Sequence, residues 1–282
     1  MHRNLHNRFS NLSRRKPEPE KLEEMQLGLL EESTLDINYL VLIVGSCAIA
    51  TFGLLSNSAA VIIGAMIVAP LMLPIRGLAF AALAGNVVFF RKSITAIAAG
   101  TLIAIVLAWL IGSVVGLPEL QREVLARSEP TLLDLGIAIA AGGISGYAKV
   151  EPKISSSLAG TAIAVALMPP VCVIGLGLSQ ADWSLSLGAT LLYLTNLLGI
   201  TLSCMLVFLI TGYTSLRLGR KALRWTIIFT SLFLIPLGGS FVRLVRQAEL
   251  EALVQRLKLS LTELKNDTLT FCLNHIGVVQ FG

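Results

Sequence analysis

The chain has 282 residues, 55% of them hydrophobic and 14% charged, with a net charge of +5 and a mean hydropathy of +0.78. A soluble chain of ordinary make-up carries about a quarter charged residues, so these values exclude a soluble domain and point to a helical integral membrane protein. The basic excess does not signal nucleic acid, because the lysines and arginines flank apolar blocks, as membrane topology requires.

In chain order, residues 1–35 form a polar arm in which "RRKPEPEKLEE" has the charge and proline content of a disordered or frayed cytoplasmic segment. Hydrophobicity starts only at Ile37, so no cleavable signal is expected. Seven apolar blocks follow, at about 37–55, 58–84, 93–116, 132–149, 156–178, 185–211 and 225–242. Each approaches or exceeds the length that crosses a hydrocarbon core. The expected fold is an all-α polytopic membrane protein with about seven transmembrane helices. Pro236 and Gly238-Gly239 interrupt the last block, so 224–243 reads either as a seventh span or as a re-entrant helix. In the tail, 244–282, Leu250, Val254, Leu257, Leu261 and Leu264 mark a short heptad seam, and "TLTFCLNHIGVVQFG" has strand-like composition. A helix-plus-strand module, an oligomer contact and an amphipathic helix on the membrane surface all fit this tail.

Orientation follows from the basic residues. The arm carries six, the second, fourth and sixth connections two, two and four, and the odd-numbered connections none, two and none. The positive-inside rule then puts the N-terminus in the cytoplasm of a multi-pass protein of the inner, or plasma, membrane. The tail's five basic residues up to Lys265 conflict mildly with a seventh span, and a re-entrant segment would remove that conflict.

The first three blocks resemble the next three in their order of features. Asp36 opens one set and Asp134 the other, with Pro70 lying 34 residues after the first and Pro169 35 after the second. Gly45 and Gly143 each follow their aspartate by nine residues, and Ser58 and Ser157 each precede their proline by twelve. Three crossings per repeat, at 36–117 and 131–212, leave the second repeat inverted. In secondary transporters, interrupted helices at matching positions of inverted repeats mark the site at the membrane's midplane.

The interruptions are therefore the candidate site. Proline removes a donor and crowds the carbonyl one turn back. Pro70 and, four residues on, Pro74 should break the second block, and Pro169-Pro170 the middle of the fifth. The second block would be about 40 Å long as one straight helix. Gly64 belongs to the small residues that let helices approach there. Arg76 either reaches a cavity or snorkels toward the cytoplasmic face. Thr195 and Asn196 either join helices by hydrogen bonds or line a pathway. Asp36 and Asp134 read as helix N-terminal charges. Cys47, Cys172 and Cys204 fall in apolar blocks and read as small buried hydrophobes. The histidines, His2, His6 and His275, lie outside the blocks, so neither a metal site nor a cofactor is expected.

On "IATFGLLSNSAAVIIGAMIVAPLMLPIRGLA", "SEPTLLDLGIAIAAGGISGYA", "LAGTAIAVALMPPVCVIGLGL" and "LLYLTNLLGI", the chain resembles the bacterial membrane-protein family known as Domain of Unknown Function 389 over roughly residues 33–215. The resemblance implies a polytopic membrane protein without an assigned activity, and it carries over no catalytic residues. Asn86 departs from the family pattern, in which an acid often follows the glycine.

Two functions fit. One is a transporter or channel-like permease for a small anionic or neutral solute, with a polar cavity where Pro70 meets Pro169. Arg76 and the absence of a mid-span acid favour that solute class. The other is a non-transporting scaffold, assembly or stress-sensing factor acting through its arm and tail. An intramembrane enzyme is not expected, for there is no HExxH and no serine with a histidine base. Expected partners are the lipid bilayer, a small solute and a second copy through the membrane helices or the tail, and no nucleic acid.

Overall fold

The computed structural model describes residues 19–116, 121–151, 167–213, 223–228 and 231–232. The chain divides into Met1–Leu237 and Gly238–Gly282, and every described residue belongs to the first part. The first half of the expected fifth span, most of the seventh and the whole tail lie outside the described residues.

Every regular element among the described residues is helical: α1 Pro19–Glu32, α2 Ile37–Leu55, α3 Ala59–Val68, α4 Met72–Ala84, α5 Val87–Val115, α6 Arg122–Leu125, α7 Leu132–Val150, α8 Met168–Ser179 and α9 Trp183–Ile210. Three of these (α2, α5 and α9) are long and apolar enough to cross a membrane, and a fourth crossing results if the bent pair α3 and α4 is one span. Their outer faces are apolar. Val41, Phe52, Leu102, Val106, Trp109 and Leu187 are all more than two-fifths exposed, a surface that a water-soluble monomer rarely presents and a lipid surround accepts. This is a multi-pass membrane protein.

The arm is not frayed throughout. From Pro19 onward it is α1, and it buries Met25 and Leu29 against the bundle. The expectation failed because charge was weighed over "KPEPEKLEE" without the apolar positions that follow it. Tyr213, just past α9, marks where α1 lies. Its phenol is pushed above the usual tyrosine value by burial, opposed by Lys21 of α1 and reinforced by Glu151.

Asp36 caps α2, its Oδ1 accepting from the Tyr39 amide at 2.8 Å. Asp134 does not play the same part. Thr131 is the N-cap of α7, and Asp134 is the third helical residue of its capping box, with Oδ2 accepting from the Thr131 amide at 2.8 Å. The N-caps of these two helices are therefore Asp36 and Thr131. Counted from these caps, 50 residues separate Asp36 from the cap Asn86 and 51 separate Thr131 from Asp182, while Pro70 follows by 34 and Pro169 by 38. Asn86 and Asp182 open the two longest helices, α5 of 29 residues and α9 of 28. Each follows a residue in the left-handed region, Gly85 at φ 69° and Ala181 at φ 55°. Both turns close with the same bond, from Asn86 N to Ala81 O at 3.1 Å and from Asp182 N to Gly177 O at 2.9 Å. The Asn86 amide oxygen does the capping that an aspartate would do, accepting from Phe89 N at 3.1 Å. That cap starts the third long helix at Val87 instead of residue 93, and Arg91 and Lys92 are exposed helical residues rather than loop.

A left-handed alanine costs about 1–2 kcal/mol that glycine avoids. Ala181→Gly is accordingly expected to raise the unfolding temperature in detergent, and a fall would show that the Ala181 methyl contributes packing.

Two pairs of helices pack in parallel. Tyr39 Oη donates to the Ala96 carbonyl at 2.9 Å and Cys47 Sγ to the Ala104 carbonyl at 3.2 Å, so α2 runs alongside α5 in register. Likewise Gly199 faces Leu135 and Ala138, and Cys204 Sγ donates to the Gly142 carbonyl at 3.1 Å, so α7 runs alongside α9. The cysteines thus act as helix-to-helix donors as well as small hydrophobes. The short α8 is buried from Met168 to Gly177 among α2, α3, α5 and α9, as befits a helix that is apolar all round.

Candidate functional site

The second block breaks where the proline predicts. The residue before a proline is pushed out of the helical region, and Ala69 is extended at φ −65°, ψ 122°. α3 stops at Val68, the chain turns through Pro70, and α4 leaves at 49° to α3. Pro74 makes no second break. It is the third residue of α4, where a helix amide has no intrahelical acceptor and its loss costs little. For the same reason Pro169 and Pro170 fit in the first turn of α8, which starts at Met168 in the middle of the expected fifth block.

Around these prolines the described side chains are apolar. Leu71, Leu167, Met168 and Val171 are at most 2% exposed, and Pro70, Pro74, Pro169 and Pro170 are buried. α3 touches α8, while α9 packs on both α4 and α8. Gly64 is exposed, and a Cβ there would meet no atom within 4 Å, so it is not a close-packing position. A cavity of about 250 Å³ lies elsewhere, between α1 and the α4–α5 turn, lined by Gln26, Leu30, Phe80, Asn86, Phe89 and Lys92 among others.

Arg76 is neither free in a cavity nor in open solvent. Its Nη2 donates to Glu32 Oε2 at 3.0 Å, while Lys149 Nζ donates to Glu32 Oε1 at 2.8 Å. The last residue of α1 thus bridges α4 and α7. Ser33, next in the chain, is fully buried against Gly77, where a Cβ would collide with its hydroxyl. Arg76 Nε is buried without a hydrogen-bond partner among the described residues, as are Ser145 Oγ on α7 and Thr195 Oγ1 on α9. Thr195 and Asn196 are 1% and 3% exposed. A second polar link joins the long helices, with Thr101 Oγ1 and Tyr193 Oη 2.7 Å apart. Cys47 Sγ and Cys172 Sγ lie 3.6 Å apart between α2 and α8.

Sequence reasoning missed Glu32 as the shared partner of Arg76 and Lys149, because no local pattern pairs it with residues 44 and 117 positions away. It also passed over a legible signal. Ala96, Gly100, Ala104, Ala108 and Gly112 recur every fourth residue of α5. They form the stripe on which Tyr39 of α2 and Gly175, Leu176 and Ser179 of α8 pack.

The stretch holding nearly all of these residues can be compared with known proteins. A family model described as Domain of unknown function (DUF389) matches residues 66–202. Over that stretch the chain is similar to the DUF389 family. The match runs from the last turn of α3 through most of α9, so it takes in every expected site residue except Gly64. An uncharacterized protein of Methanocaldococcus jannaschii is 27% identical to this chain over 232 residues, covering 78% of this chain and 72% of its own length. No solved structure matches the chain.

Proposed function

We propose that this chain is a seven-span permease of the plasma membrane, its N-terminus in the cytoplasm, that moves a small solute between two inverted three-helix repeats and performs no catalysis. The observation that carries the reading is that Arg76 Nε, Ser145 Oγ and Thr195 Oγ1 are buried without a hydrogen-bond partner among the described residues, as Ser93 Oγ and Gln121 Oε1 also are. A buried polar group without a partner costs about 1–3 kcal/mol, and a hydrated path or a bound solute removes that cost. The first three stand on α4, α7 and α9, and α9 packs against both of the others.

The inverted repeat is supported by its symmetry of parts. Each repeat holds a first and a third helix in parallel, a glycine or alanine turn in the left-handed region, and an Asx cap opening the long helix. The packing is reciprocal too. α4 rests on α5 and on α9, while α8 rests on α9 and on α5.

The apolar lining of the described proline flanks favours the alternative, a scaffold without a path. Under that alternative, deleting residues 246–282 abolishes function and Pro70→Ala does not.

The deciding experiment is flux of small anionic and neutral solutes into vesicles holding the purified chain, wild type against Thr195→Val. Valine keeps the shape and removes the orphan hydroxyl, so stability should rise by about 1 kcal/mol while flux falls about tenfold, one hydrogen bond's equivalent in a path. Absence of flux for every solute, in protein that remains folded, would overturn the permease.

A further inference from the structure

Glu32 ends α1, a helix with no basic residue in its last turn and with Glu31 beside Glu32. An acid in the last turn opposes the helix dipole, so α1 itself gives this carboxylate no reason to be there. What holds it is a pair of cations from two different helices. Arg76 of α4 takes one oxygen at 3.0 Å and Lys149 of α7 takes the other at 2.8 Å. That is the manner in which a free carboxylate is gripped by two donors. The three side chains are 14%, 19% and 26% exposed for Arg76, Lys149 and Glu32, so the grip is largely shielded from water. Two cations sharing one carboxylate leave a net positive charge. In addition Arg76 Nε, a donor of the same guanidinium, is buried with no hydrogen-bond partner among the described residues. The pair therefore has more positive charge and more donors than Glu32 satisfies.

We infer that Arg76 and Lys149 form a binding site for a small oxyanion, a carboxylate or a phosphate, and that Glu32 is its tethered occupant, displaced when the ligand enters. The site joins the first repeat to the second, and α1 covers it. The inference deepens the permease reading by naming its solute class, and it rests on that reading only for the step from binding to transport. A tethered group competes at an effective concentration of the order of millimolar, so a ligand of similar affinity is masked in the wild type.

The test is equilibrium binding of acetate and of inorganic phosphate to the purified full chain in detergent, by calorimetry and by shift of the unfolding temperature. Glu32→Gln should tighten binding of at least one anion by about tenfold or more, once the competitor is gone. The same change at Glu31 should do nothing, and adding Arg76→Gln to Glu32→Gln should abolish the gain. Should Glu32→Gln fail to fold, Glu32→Asp retracts the carboxylate by one methylene and should give a severalfold gain. No gain in any folded variant would overturn the site. So would a gain seen only when phosphatidylglycerol is added to the micelles, since the occupant would then be a lipid headgroup. Binding without flux in vesicles would remove the permease reading and leave the site, while flux with unchanged binding would remove the site and leave the permease.

Discussion

Pro70→Ala is expected to cut solute flux at least about tenfold while leaving a folded protein. The wild-type bend is imposed locally. Pro70 pushes Ala69 to ψ 122° and ends α3 at Val68. Alanine returns an amide donor and removes the clash with the carbonyl one turn back, a bias toward straight helix of about 3 kcal/mol. Straightening a 49° bend would carry the far end of α4, a helix of 13 residues, about 15 Å sideways at 1.5 Å of rise per residue. Tertiary packing resists. Phe80 stands edge-on to Phe208 with ring centroids 5.6 Å apart, Gly77 meets Ser33, and Arg76 is held by Glu32. The substitution thus sets a local preference against the packing that positions Arg76, and misplacing the guanidinium is enough to spoil a path that depends on it. Flux into vesicles, together with a spin-label distance between α3 and α4, reads both consequences. A straightened pair with unchanged flux would detach the bend from function.

How much of this was legible in the sequence depends on the range of the interaction concerned. The bend at Pro70 was legible because proline acts on its own backbone and on its neighbour. The bounds of α2 and α7 were legible because an apolar run ends where polar residues begin. Pro74 was misjudged because a proline's effect depends on its place in the helix. In the first turn it has no bond to break, and composition does not say where a turn begins. Asp134 was matched to Asp36 by residue type, although a capping box puts the acid three residues inside the helix and an N-cap puts it outside. The Arg76–Glu32–Lys149 bridge was out of reach, since it depends on α1 folding back across the bundle. The four-residue stripe on α5 was in plain view and needed only to be read as a surface instead of as composition.

The same limit produces the sharpest contrast in stability, between neighbouring glycines that the sequence does not tell apart. Gly142→Leu is expected to be severe. A Cβ on Gly142 would stand 2.7 Å from both the Cα and the carbonyl oxygen of Ile200, and would collide with the Ser203 hydroxyl. Backbone atoms cannot rotate away, so α7 and α9 would have to part along the interface where Cys204 bonds the Gly142 carbonyl. In a membrane, helices are joined by close packing and interhelical hydrogen bonds rather than by flight from water, so this separation removes the very terms that hold the pair. Overpacking of this kind costs about 3 kcal/mol or more, a large share of a total stability of about 5–15 kcal/mol. Gly143→Leu should be neutral or stabilising. A Cβ there meets nothing within 4 Å, and leucine is the better helix former by somewhat under about 1 kcal/mol. Thermal unfolding in detergent should separate the two by about 6–12 °C, from the scaling for chains of this size. Equal losses at both positions would mean that helix flexibility, not the α7–α9 packing, is what those glycines supply.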